Sequence, residues 1–306
     1  MRDKLDQLVE TVGGVLYGKE VQIRQALTCL VSGGHLLVED LPGMGKTTLA
    51  HALAQVLGME YQRVQFTSDM LPADILGASI FDSSLGQFEF HKGPVFTQLL
   101  LADEINRTTP KTQSALLEAM EERQVTVEGQ TYSLPDPFFV IATQNPVSQY
   151  GTFPLPESQL DRFLMRVQLG YPSHEAEREL LVGGDARQKI SDLPVCLSLS
   201  ELVELQQVCQ SVSASDSLLD YLQRLVKFSR ESSDFEYGIS PRGSLALLNT
   251  AKTWAYMQGR DYVVPEDIQV LLGPVFGHRL RSAEDYAEHG GMALIRKLLG
   301  EVDVVG

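Results

Sequence analysis

Residues 35–48 read His35-Leu36-Leu37-Val38-Glu39-Asp40-Leu41-Pro42-Gly43-Met44-Gly45-Lys46-Thr47-Thr48, and the fold turns on them. An apolar run of strand length leads in, and the run from Leu49 to Leu57 that follows is amphipathic at helical spacing. Strand, glycine-containing loop and helix in that order hold phosphate, because backbone N–H groups and the helix N-terminus converge on an anion. Pro42, Gly43, Met44, Gly45 and Thr48 form the cradle; Lys46 would reach the outer phosphates and the Thr47 hydroxyl would bind Mg²⁺. The strict pattern has glycine five positions before Gly45, where this chain has Asp40. Gly43 and Gly45 stand where the backbone must curl most closely, so the loop is expected to function with Asp40 in place. A chance Gly-Lys-Thr turn is the alternative, and the rest of the chain decides against it.

With 306 residues the chain can bury a large core and form two domains. Apolar residues are 43% and charged residues 21%, an ordinary globular balance, and no apolar run approaches the ~20 residues of a membrane span. Cys29, Cys196 and Cys209 are far apart in apolar or helical surroundings, so they read as small core residues of a reducing compartment. The expected location is the cytoplasm. The six histidines form no ligand-like spacing. Net charge is −15 with no Lys/Arg stripe, which favours protein partners over nucleic acid, since nucleic-acid affinity rests on phosphate contacts.

Strand-like apolar runs recur at 35–39, 61–66, 99–103, 138–143 and 163–169, with helical patterns at 47–57 and 110–122 between them. Alternating strands and helices give a five-stranded parallel sheet with helices on both faces, an α/β fold that binds ligands at the strands' carboxyl ends. Two hairpins interrupt it, near 79–91 and 123–135. Residues 1–34 read as two helices around Gly13-Gly14. The composition shifts after Tyr171-Pro172: 183–198 is a loop-rich connection, and 200–306 read as helical throughout. The domains are therefore expected at 1–171 and 172–306, the second a smaller helical lid.

Leu99-Leu100-Leu101-Ala102-Asp103-Glu104 is a buried strand ending in two acids beside the phosphate loop. Asp103 can hold Mg²⁺ and Glu104 can polarise an attacking water. Phe138 to Asn145 repeats the logic with an amide at the tip, where Asn145 can orient that water or contact the γ-phosphate. In Ser240-Pro241-Arg242-Gly243, Ser240 suits an N-cap and Pro241 the first helical position. Arg242 then lies in the first turn, against the helix dipole, which calls for an anionic partner. Arg162 precedes a strand at a domain edge, where it could serve a neighbour's site; the plain alternative is an ion pair with Asp161 or Glu157. Arg107 is a rival or additional trans-acting residue.

Taken together, these residues resemble the MoxR family of AAA+ ATPases. The specific marks are Asp103-Glu104-Ile105-Asn106-Arg107, Lys111 to Met120, Ala142-Thr143-Gln144-Asn145-Pro146, and Pro156 to Phe163. The resemblance spans essentially the whole chain. It implies a Walker A loop at Lys46 and Thr47, a Walker B pair at Asp103 and Glu104, and sensor 1 at Asn145. It further implies an arginine finger at Arg162, sensor 2 at Arg242 and an adenine pocket at Tyr17 and Gly18. The two hairpins would be the helix-2 insert and the pre-sensor-1 hairpin. Cofactors would be ATP and Mg²⁺. Partners would be further copies in a ring, most simply a hexamer, and a client with a von Willebrand factor A domain, remodelled as hydrolysis shifts lid against core. Two rivals remain from the sequence: a nucleic-acid-dependent motor, and a nucleotide-gated scaffold with little turnover.

Overall fold

Apolar runs without alternation need cover on both faces, and the inner strands receive it, while the edge strand Tyr61–Gln65 is largely exposed. A computed structural model describes residues 1–84, 86–145, 151–183, 187–283 and 290–305; Pro146, part of one quoted motif, lies outside them. Strands β1 (Leu36–Glu39), β2 (Tyr61–Gln65), β3 (Leu99–Asp103), β4 (Phe139–Gln144) and β5 (Met165–Val167) form one sheet in the order β2-β3-β4-β1-β5. Every pairing in it is parallel. Leu99 and Leu101 join one apolar cluster, Leu100 and Ala102 the other, and β4 repeats this with Phe139 and Ile141 against Val140 and Ala142.

One cluster is closed by α1 (Arg2–Gly13), α2 (Glu20–Val31) and α3 (Lys46–Val56), the other by α4 (Pro110–Glu122). The strand expected over 163–169 pairs only at Met165–Val167. Its neighbour β1 turns into the loop after Glu39, so the last residues have nothing to pair with.

The hairpins form as read, Gly77–Asp82 with Gln87–Lys92 and Gln124–Val127 with Gln130–Ser133. They lean on one another: the rings of Phe90 and Tyr132 stack with centroids 4.1 Å apart. Ile80, Phe81 and Phe88 on the first hairpin are exposed.

Beyond β5 come helices His174–Gly183 and Arg187–Ile190, the latter inside the expected loop, then α5 (Leu199–Gln210), α6 (Asp216–Glu231), α7 (Pro241–Met257), α8 (Pro265–Phe276) and α9 (Gly290–Glu301). Serine caps start three of them: the hydroxyls of Ser198, Ser215 and Ser240 accept the N–H of Glu201, Leu218 and Gly243. The region is not helical throughout. Phe235–Tyr237 pairs antiparallel with Arg281–Ser282, because Asp234-Phe235-Glu236-Tyr237 alternates with period two and buries Phe235. α1 and α2 pack on α7, α2 also on α5, and α8 on β5, so one apolar cluster runs unbroken from the sheet into these helices. The three cysteines are buried and free. Among the described residues no helix is long and apolar enough to cross a membrane.

Candidate active site

The loop between β1 and α3 curls through Gly43 at φ 85° and Gly45 at φ 94°, conformations that residues with a Cβ rarely adopt. Gly45 is the residue that caps α3, and Lys46 opens the helix with its side chain turned back under the loop. The Lys46 ammonium is buried and donates to the Asp40 carbonyl at 2.7 Å and to Asn145 Oδ1 at 2.8 Å. Burial lowers its pKa, while the nearby carboxylates, Asp103 foremost, pull the other way.

Asp40 occupies the strict pattern's glycine position at no backbone cost. Among the described residues only Glu104, Arg123 and Glu128 combine a Cβ with positive φ. Its carboxylate accepts the N–H of Leu41 at 2.9 Å and of Gly170 at 2.6 Å, which ties the phosphate loop to the turn leaving β5. Next to it, Lys19 donates to the Tyr171 carbonyl at 2.7 Å.

The strand tips deliver the remaining groups. Asp103 Oδ1 accepts the Thr143 hydroxyl at 2.6 Å, and the Thr143 oxygen in turn accepts the Glu104 N–H at 2.8 Å. Glu104 Oε1 accepts Asn145 Nδ2 at 3.0 Å; Oε2 accepts Gln65 at 2.9 Å and pairs with Arg107 at 2.8 Å. Asn145 is held from behind, its carbonyl accepting Asn106 Nδ2 at 3.0 Å. Lys46, Asn145 and Glu104 thus form one chain of contacts, cation to amide to carboxylate.

These groups face a cavity of about 440 Å³, in the range of small-molecule sites. Pro42 to Thr48, Tyr17, Asp103, Glu104 and Asn145 line it, with Val15, Leu16, Pro172 and Leu180 as its apolar wall. Gly18 does not line it; it turns the chain between α1 and α2 at φ 66°, where a Cβ would come within 2.8 Å of the Ala176 side chain. Besides Lys19, two polar lining residues, Arg63 and Gln65, escaped the sequence reading. Their signal was polarity on a strand beside the acidic one: β2 pairs with β3 in a register that sets Gln65 opposite Asp103.

Arg162 and Arg242 lie elsewhere. Both guanidinium groups converge on Glu121 of α4, at 3.1 Å and 2.9 Å. The partners considered for Arg162 are taken: Asp161 binds Arg279 at 2.6 Å and Glu157 binds Arg281 at 2.9 Å. Arg107 is engaged with Glu104 of its own chain.

Residues 35–165 match the family described as "ATPase family associated with various cellular activities (AAA)", and 227–297 match an AAA lid domain. The uncharacterized protein YeaC of Bacillus subtilis is 43% identical over 98% of this chain and 94% of its own. Chaperone MoxR1 of Mycobacterium tuberculosis is 38% identical over 90% of this chain and 75% of its own. The crystal structure of an ATPase candidate from Cytophaga hutchinsonii superposes with a TM-score of 0.89 at 38% identity, over 99% of this chain and 95% of that one. With the sheet order, the phosphate loop and the acidic strand tip, these likenesses decide the matter: the chain belongs to the MoxR family of AAA+ ATPases.

Proposed function

We propose that this chain hydrolyses ATP to ADP and phosphate within an oligomeric ring, a hexamer, and couples that reaction to chaperone-like remodelling of a protein in the cytoplasm. Residues 1–171 would be the nucleotide-binding unit and 172–306 the lid. The observation that carries the reading is the Lys46–Asn145–Glu104 chain across one cavity.

Loop amides and Lys46 bind the outer phosphates, and Lys46 exchanges Asn145 for phosphate oxygen. The freed amide orients a water, Glu104 takes its proton, the water oxygen bonds the γ-phosphorus, and ADP leaves in line. The Thr47 hydroxyl and the Asp103 carboxylate are the hard oxygen donors Mg²⁺ takes; bound there it would neutralise phosphate charge. Tyr17 and the apolar wall suit the adenine. Arg162 and Arg242 stand off their own cavity on a shared carboxylate, which supports their delivery to a neighbour's site, where a cation stabilises transition-state charge.

That a relative is named a chaperone supports a protein client, and a von Willebrand factor A domain is the partner we assign; the charge of −15 weighs against nucleic acid.

ATP turnover per subunit should rise with protein concentration and then saturate. Lys46→Ala and Arg162→Ala should each be inactive alone, and mixing them should restore turnover, because the first lends its arginine to the second's intact loop. Assembled mixtures that stay inactive would refute the shared site, and full turnover by a monomer would refute the ring.

A further inference from the structure

Arg63 reaches from edge strand β2 to Asp103, its Nη2 lying 2.7 Å and its Nε 3.2 Å from the same oxygen, Oδ2. A guanidinium that pairs for structure alone prefers the fork, one nitrogen to each carboxylate oxygen. Here both guanidinium contacts fall on Oδ2, while Oδ1 accepts the Thr143 hydroxyl. Oδ2 is the oxygen left for a cation, and Arg63 sits on it while lining the cavity. Two residues along, Gln65 makes the matching contact to Glu104 Oε2 at 2.9 Å, and its own Oε1 accepts Arg63 Nη2 at 3.1 Å. β2 thus reaches both acids from one side of the strand.

The two ends of this pair differ in freedom. The Asp103 side chain is 10% exposed and the Arg63 side chain 48%. The carboxylate is fixed, whereas the half-solvated guanidinium can swing away once another cation takes its place on Oδ2.

We infer that Arg63 is a nucleotide-site residue that occupies Asp103 when no divalent cation is bound and turns to the phosphates when one arrives. The inference rests on the reading of this cavity as an ATP site. Arg63 keeps the carboxylate neutralised in the empty pocket, holds Oδ2 toward the cavity, and then adds a cation to the phosphate shell from the chain's own side.

The test is binding of a fluorescent ATP analogue, titrated once with excess EDTA and once against MgCl₂, for the natural chain, Arg63→Gln and Arg63→Lys. In EDTA the Asp103 carboxylate of Arg63→Gln faces the phosphates without its counter-charge, which should weaken EDTA binding about tenfold. The MgCl₂ concentration giving half-maximal binding should instead fall, because nothing competes for Asp103. Arg63→Lys, with charge but no planar fork, should recover part of the EDTA binding. Equal EDTA affinity in the natural chain and Arg63→Gln, or a higher Mg²⁺ requirement in Arg63→Gln, would overturn the inference while leaving the ATP site intact. No nucleotide binding by the natural chain in either titration would overturn both.

Discussion

Glu104 holds a left-handed backbone, φ 58° and ψ 48°, costly for a residue with a Cβ and retained where surroundings over-determine it. Here the Thr143 hydroxyl pins its N–H, and Asn145, Gln65 and Arg107 fix both carboxylate oxygens. The twist carries the side chain off the strand axis into the cavity instead of onward with β3. Glu104→Gln keeps the shape and loses the base, so nucleotide binding should persist while turnover drops by about 10²–10⁴. Turnover within a few-fold of the natural chain would remove Glu104 from that role. Lys46, Asp103, Glu104 and Asn145 were readable from sequence because each ends or follows an apolar run whose burial fixes its place. Arg63 and Gln65 were not, because an edge strand's polar residues look like solvated ones until strand order puts β2 beside β3.

At the scale of elements, the first hairpin depends on close backbone approach at its base. Gly77 lies at φ 100° opposite Lys92, and a Cβ on Gly93 would meet the Ile75 carbonyl oxygen at 2.3 Å and the Gly77 nitrogen at 2.4 Å. Neither backbone neighbour can yield, so Gly93→Ala should cost about 1–3 kcal/mol and open the hairpin to protease. Gly86, at φ 63° with nothing near its missing Cβ, should accept asparagine within about 0.5 kcal/mol. Equal melting of the two variants would count against this account. Four of the core strands were legible as apolar runs to within a few residues; β2 was placed correctly although Val64 is the one buried apolar residue in its five. The small pair Phe235–Tyr237 with Arg281–Ser282 was not, because its partners lie far apart in sequence and one has only two residues. The convergence of Arg162 and Arg242 on Glu121 was equally hidden, since it joins three segments through tertiary packing.

For the whole molecule, two histidines couple stability to pH. His35 bridges the layers: its Nδ1 accepts the Val140 N–H at 3.0 Å, which leaves Nε2 to donate to the Met120 carbonyl at 3.2 Å. Burial lowers its pKa to about 4, and burial among Arg279 and Arg166 drives His278 well below its usual value. Both are neutral when folded, whereas the unfolded chain takes up these protons below pH ~6.5. Their contribution is therefore whole above that pH and lost as pH falls below it, for His35 down to about 4, and His35 alone gives about 2 kcal/mol between pH 7 and 5. A urea midpoint unchanged across that interval would contradict it. The single apolar cluster shared by the sheet and the C-terminal helices has a mechanical consequence. Sliding those helices over the sheet would expose apolar side chains from α1 to α9 to water, so the shared cluster resists the shift of lid against core that the family resemblance implies. In the proposed ring, each subunit would then move as one stiff body, and a stroke would open and close between neighbouring copies rather than inside one chain.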